Sequence, residues 1–356
     1  MSNQIDISET GSISEVLVSI VITSYNYERF ISKCINSALK LDWPNLEVIV
    51  VDDGSSDGSR KIIEGFGSEI TAIFQSNQGR VSATNVGFSH SKGDFVIFLD
   101  SDDMLDSRII REVCSSFSDK TSKIQCQMIR VDEEGSPFGS PMPQYPQIPS
   151  AELIKKWYYK TATYPTPQGS GNVYSRKFLN HIFPLDGSVW DSSDSCCLAA
   201  APYYGNIETV AKILVYYRVH GKNASLMTNF DVAITSKELL RFLQRHRYAG
   251  EIARSINQPF EDKAIFRSIP FSANRLISFR FARNYHPVPN DSLLKILIDG
   301  VAAPFHQQGY SKKSATILTI WFVCVGLLPK QIAQQLVLLR YVPSSRPRRF
   351  IRRSRS

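Results

Sequence analysis

Three carboxylates stand within four positions of this sequence, directly after a short apolar run. The stretch Phe95–Asp103 reads FVIFLDSDD, and its acids are Asp100, Asp102 and Asp103. Buried carboxylates this close repel one another unless a positive charge lies between them. A hard divalent cation with oxygen ligands, and with it a diphosphate, would supply that charge. The alternative interpretation is a solvated acidic loop in which Ser101 or Asp102 caps the next helix.

Two further polar clusters follow apolar runs in the same way, at Thr23–Asn26 and Asp52–Asp57. The carboxyl ends of parallel strands share one edge of a sheet, so the three clusters should meet in one crevice. There Tyr25 could stack on a base, Asp53 could accept from a base N–H, and Asp102 with Asp103 could hold ribose and metal. The sequence has no GxGxxG turn and no GxxxxGKS/T loop, which excludes a dinucleotide-binding turn and a P-loop ATPase.

The elements that must position these clusters alternate between strand and helix. Short runs rich in β-branched residues predict strands, and apolar residues at helical spacing predict helices. The predicted strands are Val16–Thr23, Leu46–Val51, Ile70–Phe74, the run from Phe95, Lys123–Val131 and Ala211–Val219, and the first helices are Tyr25–Leu41, Ser59–Phe66 and Arg80–His90. This order predicts an α/β fold with a mostly parallel, doubly wound sheet. Loops rich in Pro and Gly are expected at 135–149 and 164–171, and helices beyond about residue 230.

The charge of the chain is concentrated at its C-terminal end. The net charge is +8, yet residues 300–356 contain ten Lys or Arg and no Asp or Glu, which leaves −2 for the rest. Such a segment indicates an anionic surface as its partner. The six cysteines form no CxxC pair, and the polar, acidic N-terminus is unlike a signal peptide. We therefore expect reduced thiols in a cytoplasmic protein.

Four motifs, in order, resemble those of glycosyltransferase family 2. They are Val18–Asn26, Glu47–Ser59, Asn77–Gly87 and Gly93–Asp103, and weaker matches follow at Trp190–Gly205 and Tyr217–Ser225. Members of that family have the GT-A fold, a Rossmann-like sheet flanked by helices, and use nucleotide-sugar donors. The motifs cover about residues 16–110, and the weaker matches extend the resemblance to residue 225.

The resemblance implies roles for individual residues. Tyr25 stands where the family stacks an aromatic ring near the nucleobase, and Asp53 where a carboxylate contacts the base. Asp102 stands where the family contacts the nucleoside and diphosphate. Asp103 stands where a carboxylate ligates Mn²⁺ or Mg²⁺, and His220 where a histidine lies near the metal and diphosphate.

Other polar residues in these motifs have structural interpretations. Asp52 is expected in the turn before Gly54, Asp57 as a helix cap, and Asp100 in a structural role. Asn85 could serve local structure or face a phosphate. Arg80 could reach the diphosphate, although a solvated loop position is favoured.

The catalytic base is expected in the weaker match at Trp190–Gly205. Inverting transfer needs a carboxylate to take the proton of the acceptor hydroxyl. The family usually places this base as the Asp of a Glu-Asp pair ahead of a small apolar helix and a Gly. Here Asp194 stands eleven residues before Gly205, with Ser193 in place of the Glu. Asp191 is the competing candidate, with a helix cap as its other interpretation.

The C-terminal region combines an apolar run with a basic tail. Ala315–Leu328 is uninterrupted by charge but shorter than the roughly 20 residues that a spanning helix needs. It predicts either a buried helix or a helix lying in the membrane plane, and the arginines after it favour an anionic cytoplasmic leaflet. A nucleic-acid partner is disfavoured because Phe350 is the only aromatic residue among the tail arginines.

The predicted function is a metal-dependent inverting glycosyltransferase with Mn²⁺ or Mg²⁺ as cofactor. Its donor would be a nucleotide sugar, with a UDP-sugar favoured, and its acceptor a glycan or lipid-linked molecule of cell-surface polysaccharide or glycoconjugate synthesis. The enzyme would be cytoplasmic and peripheral on the inner face of the membrane. The alternative is an inactive nucleotide-sugar or nucleic-acid binding protein with the same fold. The predicted domains are a disordered 1–15, a GT-A domain at 16–229, a helical region at 230–341 and a basic tail at 342–356.

Overall fold

The computed structural model describes residues 16–145, 147–190, 192–221, 232–306 and 310–341. The chain divides into two units. The first contains the residues up to Lys155 together with Pro165–Gly221, and the second contains Lys156–Tyr164 and the residues from Lys222 onward. The domain boundary predicted between residues 229 and 230 lies outside the described residues.

The first unit is built around one β-sheet. In the described residues its strands are β1 Val18–Ser24, β2 Leu46–Asp53, β3 Thr71–Gln75, β4 Phe95–Asp100, β5 Met104–Leu105, β6 Thr121–Val131, β7 Pro137–Met142, β8 Asn172–Ser175 and β9 Asn206–Arg218. Their order in the sheet is β3-β2-β1-β4-β8-β6-β9-β5, and β7 pairs with β6. The four strands β1 to β4 are mutually parallel, as predicted. β8 then joins antiparallel between β4 and β6, while β6 and β9 are parallel.

The helices of the chain flank the sheet and build the second unit. They are α1 Ile31–Leu39, α2 Ser59–Glu64, α3 Arg80–His90, α4 Ile109–Cys114, α5 Ala151–Thr161, α6 Arg176–Leu179, α7 Ser193–Tyr204, α8 Val232–Ser255, α9 Ile269–Phe281, α10 Leu293–His306, α11 Lys312–Leu327 and α12 Lys330–Tyr341. The predicted α/β fold with a helical C-terminal region is confirmed.

Burial explains why the apolar runs form the centre of the first unit. Val18, Ile20 and Ile22 of β1 lie in one buried cluster with Ile97 and Leu99 of β4. Helix α1 adds its predicted apolar stripe to the same cluster. Helices cover both faces of a parallel sheet, which accounts for runs that are apolar without alternation.

Two short strands differ from the sequence interpretation. β7 occupies part of the predicted loop at 135–149, and β8 begins directly after the predicted loop at 164–171. β7 contains Pro137 and Pro141 and pairs on only one side, with β6. Proline is tolerated on such an edge strand because an outward-facing N–H is not needed.

The second unit has its own core of helices. Ala273, Leu276 and Ile277 of α9 are buried with Ile296 of α10 and Phe322 of α11. Within the described part of the chain, no helix is long and apolar enough to cross a membrane.

Candidate active site

The three polar clusters lie at one edge of the sheet. In the parallel pairings of β1, Ser24 is opposite Asp52 of β2, and Thr23 is opposite Asp100 of β4. The strands therefore end at the same level, and the residues that follow them converge. The predicted meeting of the three clusters at one edge of the sheet is thus observed, and the crevice between them stays a prediction.

The turn after β1 is held by the turn after β2. Asn26, with a φ of 60°, accepts a hydrogen bond at Oδ1 from the backbone N–H of Ser56 (2.8 Å). Asp52 accepts from the N–H of Ser55 (3.0 Å), which is the predicted turn role. These bonds fix the backbone beside Tyr25, whose side chain is 46% exposed.

Two of the residues with structural interpretations have structural partners. Asp57 lies one residue ahead of the α2 cap Gly58 and accepts from the N–H of Ser59 (2.9 Å). Asn85 of α3 exchanges two hydrogen bonds with the backbone of Leu185, at 2.8 and 2.9 Å. The amide of Asn85 therefore ties α3 to the segment before α7.

Asp53 is a buried carboxylate at the end of β2. Its Oδ1 accepts from Gln75 Nε2 (2.7 Å) and from the N–H of Gln78 (2.9 Å), and its Oδ2 accepts from the N–H of Gly79 (2.8 Å). A carboxylate has about four acceptor positions, so one further hydrogen bond can be accepted at Oδ2. These bonds also shape the turn that starts α3.

The carboxylates of Asp100, Asp102 and Asp103 each place an oxygen within 4.8 Å of the others. Burial raises the pKa of Asp103 well above its ordinary value, and Asp102 and Asp100 raise it further. Burial likewise raises the pKa of Asp100 to about 6, opposed by Arg80, whose guanidinium lies 2.7 Å from Asp100 Oδ1. The crowding of negative charge expected from the sequence is thus present in the fold. Arg80 offsets part of it by pairing with Asp100.

Asp103 is fully buried and is held at both oxygens. Its Oδ2 accepts from Ser170 Oγ (2.6 Å), and its Oδ1 accepts from the backbone N–H of Arg218 (3.0 Å). Ser170 Oγ also accepts from the N–H of Asp100 (3.1 Å). Asp103 therefore joins the end of β4 to the turn at 169–171 and to the end of β9.

Asp102 pairs with His220. Oδ2 of Asp102 lies 2.8 Å from Nε2 of the imidazole. The imidazole ring stacks on Phe30 at a centroid distance of 4.9 Å and an interplanar angle of 29°. Within the described residues, Oδ1 of Asp102 has no hydrogen-bond partner. The pair therefore presents a carboxylate oxygen and an imidazole nitrogen side by side.

Arg218, at the end of β9, is fully buried beside the acids. Its Nε donates to the carbonyl of Asp102 (2.9 Å), and its Nη1 donates to the carbonyl of Glu133 (2.6 Å). The guanidinium also lies over the Phe30 ring, 5.2 Å from its centroid. Arg218 thus fixes the backbone of Asp102.

Asp194 lies in the first turn of α7 and is half-buried. Its charge contributes to the raised pKa of Asp100 and of Arg80, so the carboxylate faces the same charged region. A Cβ built on Gly169 would lie 2.6 Å from Asp194 Oδ2, so the bare backbone of that turn is what leaves room for the carboxylate. The competing candidate, Asp191, lies outside the described residues.

A buried polar network behind the site was missed by sequence reasoning. Lys123 of β6 is fully buried and donates to Asn172 Oδ1 (2.9 Å), Thr166 Oγ1 (2.9 Å) and Gln125 Oε1 (3.1 Å). Asn172 in turn donates from Nδ2 to the carbonyls of Gln168 and Gly169. The network therefore fixes the turn that carries Ser170 and borders Asp194. The only local signal is a lysine within a strand pattern.

Known proteins resemble this chain in both sequence and fold. Residues 19–183 match the model of Glycosyl transferase family 2. The uncharacterized glycosyltransferase alr2836 of Nostoc sp. is 33% identical over 259 residues, covering 67% of this chain and 80% of that protein. Among solved structures, S. aureus TarS 1–349 in complex with UDP-GlcNAc has a TM-score of 0.50 at 15% identity, with 91% of each chain covered.

A second solved structure is the mannosyltransferase PcManGT from Pyrobaculum calidifontis in complex with GDP-Man and Mn²⁺. Its TM-score is 0.51 at 14% identity, with 93% of this chain and 86% of that chain covered. These solved structures support the GT-A fold, and the family match with the Nostoc relative shows that the protein is a glycosyltransferase. The chain belongs to glycosyltransferase family 2.

Proposed function

We propose that this enzyme is a metal-dependent, inverting glycosyltransferase that moves a sugar from a UDP-sugar to a glycan or lipid-linked acceptor. The observation that carries the proposal is the meeting of the β1, β2 and β4 ends around the acids Asp100, Asp102 and Asp103. A diphosphate with a bound cation complements buried acids that are otherwise crowded.

Tyr25 and Asp53 would bind the nucleobase. The Tyr25 ring is exposed in the turn directly after β1, where a base can stack on it. Asp53 has one acceptor position left at Oδ2, which suits a base N–H. The donor-bound neighbours contain UDP-GlcNAc and GDP-Man, so the class of donor is supported while the UDP-sugar is our proposal.

The donor atoms around Asp102 fit Mn²⁺ or Mg²⁺. Adjacent ligand atoms around such a cation, each about 2.1 Å from it, are roughly 3 Å apart. Oδ2 of Asp102 and Nε2 of His220 are 2.8 Å apart in a hydrogen bond that a cation would replace, and Asp102 Oδ1 has no partner in the described residues. When bound, the cation would stabilise the negative charge of the departing diphosphate.

Asp103 was predicted from the resemblance to ligate the metal, and this stays a prediction. Both oxygens of Asp103 accept hydrogen bonds that hold β9 and the turn at Ser170, whereas Oδ1 of Asp102 accepts none from the described residues. We therefore propose direct contacts through Asp102 and its partner His220. Asp103 would then support them by holding the end of β9 and the turn at Ser170. The carboxylate of Asp102 can still contact the nucleoside side of the diphosphate, as the resemblance implies.

Asp194 would act as the general base. It would accept the proton of the acceptor hydroxyl as that oxygen attacks the anomeric carbon, which inverts the configuration at that carbon. Arg80, close to Asp100 and electrostatically coupled to Asp194, favours the ionised form of both carboxylates. An ionised Asp194 is the form that can take the proton.

The acceptor side and the cellular setting complete the proposal. The enzyme would work in the cytoplasm, peripherally on the inner face of the membrane, in the synthesis of a cell-surface polysaccharide or glycoconjugate. An anionic leaflet suits the excess of Lys and Arg in residues 300–356. A lipid-linked acceptor would be presented at that leaflet.

Calorimetric titration of UDP, in the presence and absence of Mn²⁺, tests the proposal. We expect UDP to bind with a strong dependence on Mn²⁺, and a screen of nucleotide sugars to show slow hydrolysis of one donor. Failure of every nucleotide sugar to bind with metal present would overturn the proposal. Binding of a donor without turnover under any condition would support the inactive binding protein instead.

A further inference from the structure

The apolar run forms helix α11, which has one buried apolar face and one exposed apolar face. The buried-helix interpretation fits the first face, and the membrane interpretation concerns the second. Ala315, Leu318, Phe322 and Val325 are buried in the second unit. Ile317, Ile320 and Leu327 of the same helix are more than half exposed. An ordinary surface helix turns polar residues outward. The apolar outer face of α11 therefore needs an explanation that the buried face does not provide.

Helix α10 continues this exposed apolar surface. Leu294, Ile298 and Phe305 are spaced by four and seven residues and so lie on one face, and each is more than 60% exposed. α10 and α11 pack directly, since a Cβ on Gly300 would lie 2.5 Å from the Phe322 ring and one on Gly326 would lie 2.5 Å from Leu297. Both exposed stripes lie on the sides of α10 and α11 that do not contribute Ile296 and Phe322 to the core shared with α9.

We name this surface the α10–α11 outer face and define it by Leu294, Ile298, Phe305, Ile317, Ile320, Val323 and Leu327. Exposed apolar residues gathered on two packed helices are typical of a site of interaction with a protein or a membrane. The choice between these partners depends on the charges around it.

The charges near the α10–α11 outer face are basic. Lys295, Lys312, Lys313 and Lys330 are exposed on the same helices or directly after them. The only acid of α10 is Asp299, whose carboxylate is paired with the buried Arg275 at 2.7 Å. A helix pair with apolar residues on one face and lysines beside them has the composition of an interfacial membrane anchor.

The chain beyond α12 adds to this charge. The described residues end at Tyr341, and the 15 residues after it contain six arginines and no acid. They begin directly after a helix that packs on α11 through Trp321 Nε1, which donates to the carbonyl of Leu336 (3.1 Å). A basic segment that follows α12 in the sequence complements an anionic lipid surface better than a second copy of this basic chain.

We propose that the α10–α11 outer face inserts into the interface of an anionic lipid surface, with the lysines and the arginine-rich end at the headgroups. The inference rests on the peripheral membrane association proposed above and names the residues that make it. It assigns the exposed side of α11 to lipid and the buried side to the core of the second unit.

Co-sedimentation with vesicles tests the proposal with the full chain. We expect binding to vesicles of phosphatidylcholine and phosphatidylglycerol in equal parts, weaker binding to phosphatidylcholine alone, and loss of binding as salt is raised. The double variant Ile320→Gln/Leu327→Gln should lower the partition coefficient by about tenfold or more, because two apolar side chains no longer insert.

The matched control is Ile148→Gln. Ile148 is as exposed as Ile320, at 57% against 56%, but it lies in the other unit. This variant should bind vesicles like the unmodified protein, and circular dichroism should show both variants folded. Equal binding by the double variant and the control, or no binding to anionic vesicles at all, would overturn the proposal.

Two further measurements separate the remaining outcomes. If light scattering shows a dimer that Ile320→Gln converts to a monomer, the face is a protein interface and the lipid proposal is wrong. UDP binding measured on the same preparations keeps the two proposals apart. A protein that binds UDP but no vesicles refutes only lipid docking, and one that binds vesicles but no nucleotide refutes only the proposed activity.

Discussion

Nε2 of His220 and Oδ2 of Asp102 lie 2.8 Å apart, although 118 residues separate them in the chain. The imidazole reaches this position because β9 runs parallel to β6 and ends with Arg218, which binds the carbonyl of Asp102. Two groups that can share a cation are thus brought together by the last strand of the sheet. The proposed metal contacts can therefore be tested by replacing one of these two residues at a time and measuring Mn²⁺ affinity.

Replacing His220 by Phe should weaken Mn²⁺ binding at least about tenfold, since the ring can still stack on Phe30 but offers no nitrogen. Calorimetric titration of Mn²⁺ in the presence of UDP measures the change. The control is His181→Phe, because His181 also stacks on an aromatic ring, that of Tyr204. Unchanged Mn²⁺ affinity in His220→Phe would remove this histidine from the metal site.

Asp102→Asn and Asp103→Asn should have different effects. Asp102→Asn should lower Mn²⁺ affinity with little change in the free energy of unfolding. Asp103→Asn should lower the free energy of unfolding by about 1–3 kcal/mol, because an amide can accept at only one of the two positions that Ser170 and Arg218 occupy. Urea unfolding and Mn²⁺ titration on both variants check this. A stable Asp103→Asn that has lost Mn²⁺ would restore Asp103 as the ligand.

Asp194→Asn should reduce sugar transfer by about 10²–10⁴-fold while leaving UDP affinity unchanged, because only the proton acceptor is lost. Transfer rates and UDP titration give the two quantities. Asp186→Asn is the control, since Asp186 is an exposed acid before α7 whose carboxylate, among the described residues, accepts only from the nearby Ser188. Near-normal transfer by Asp194→Asn would place the base elsewhere, with Asp191 as the next residue to replace.

Gly169→Ala should move the Asp194 carboxylate, because the added Cβ would meet its oxygens at 2.6 and 2.8 Å. We expect a fall in kcat, unchanged UDP affinity and a loss of about 1–3 kcal/mol in the free energy of unfolding. Gly187→Ala is the control, as its Cβ would meet Val81 at 3.9 Å, an ordinary contact. A Gly169→Ala enzyme with normal kcat would show that the position of Asp194 is not critical.

Lys123 should make stability depend on pH. Burial holds the pKa of Lys123 well below its ordinary value of 10.5, so the unfolded chain binds more protons than the folded one at alkaline pH. The free energy of unfolding should therefore gain a contribution that grows from the folded pKa up to about 10.5. Urea unfolding at a series of pH values should show this gain for the unmodified protein and not for Lys123→Met.

Lys120→Met serves as the matched control, because Lys120 is an exposed lysine just before β6. Its replacement should leave the pH dependence intact. If the free energy of unfolding depended on pH identically in Lys123→Met and in the unmodified protein, the lowered pKa of Lys123 would be contradicted.

The first hundred residues were predictable because local pattern and global fold agree there. The apolar runs of β1, β2 and β4 are buried on both faces, and the acids follow each run directly in the sequence. Parallel pairing aligns the ends of these strands, so the acids that follow the strands meet at one edge of the sheet. Asp53 and the Asp100–Asp103 cluster could be located on that basis alone.

The residues that complete the site could not be found in this way. Ser170 meets Asp103 across 67 positions, and nothing near Ser170 in the sequence indicates that contact. In β6, Lys123 and Gln125 alternate with Ile124 and Cys126, a pattern typical of a strand with one solvated face. Both polar side chains are in fact fully buried, because Thr166 and Asn172 cover that face.

The turn at Gly169–Gly171 has a consequence for exchanging parts between related enzymes. Ser170 is one of the points at which the later half of the first unit is bonded to the acids at the end of β4, together with Arg218 and His220. A chimera that replaces the chain after this turn would keep the sheet edge of β1, β2 and β4, while receiving a new α7 and a new end of β9. Retaining Ser170 together with the Lys123–Asn172 bond is then the condition for a transplanted half to dock in register.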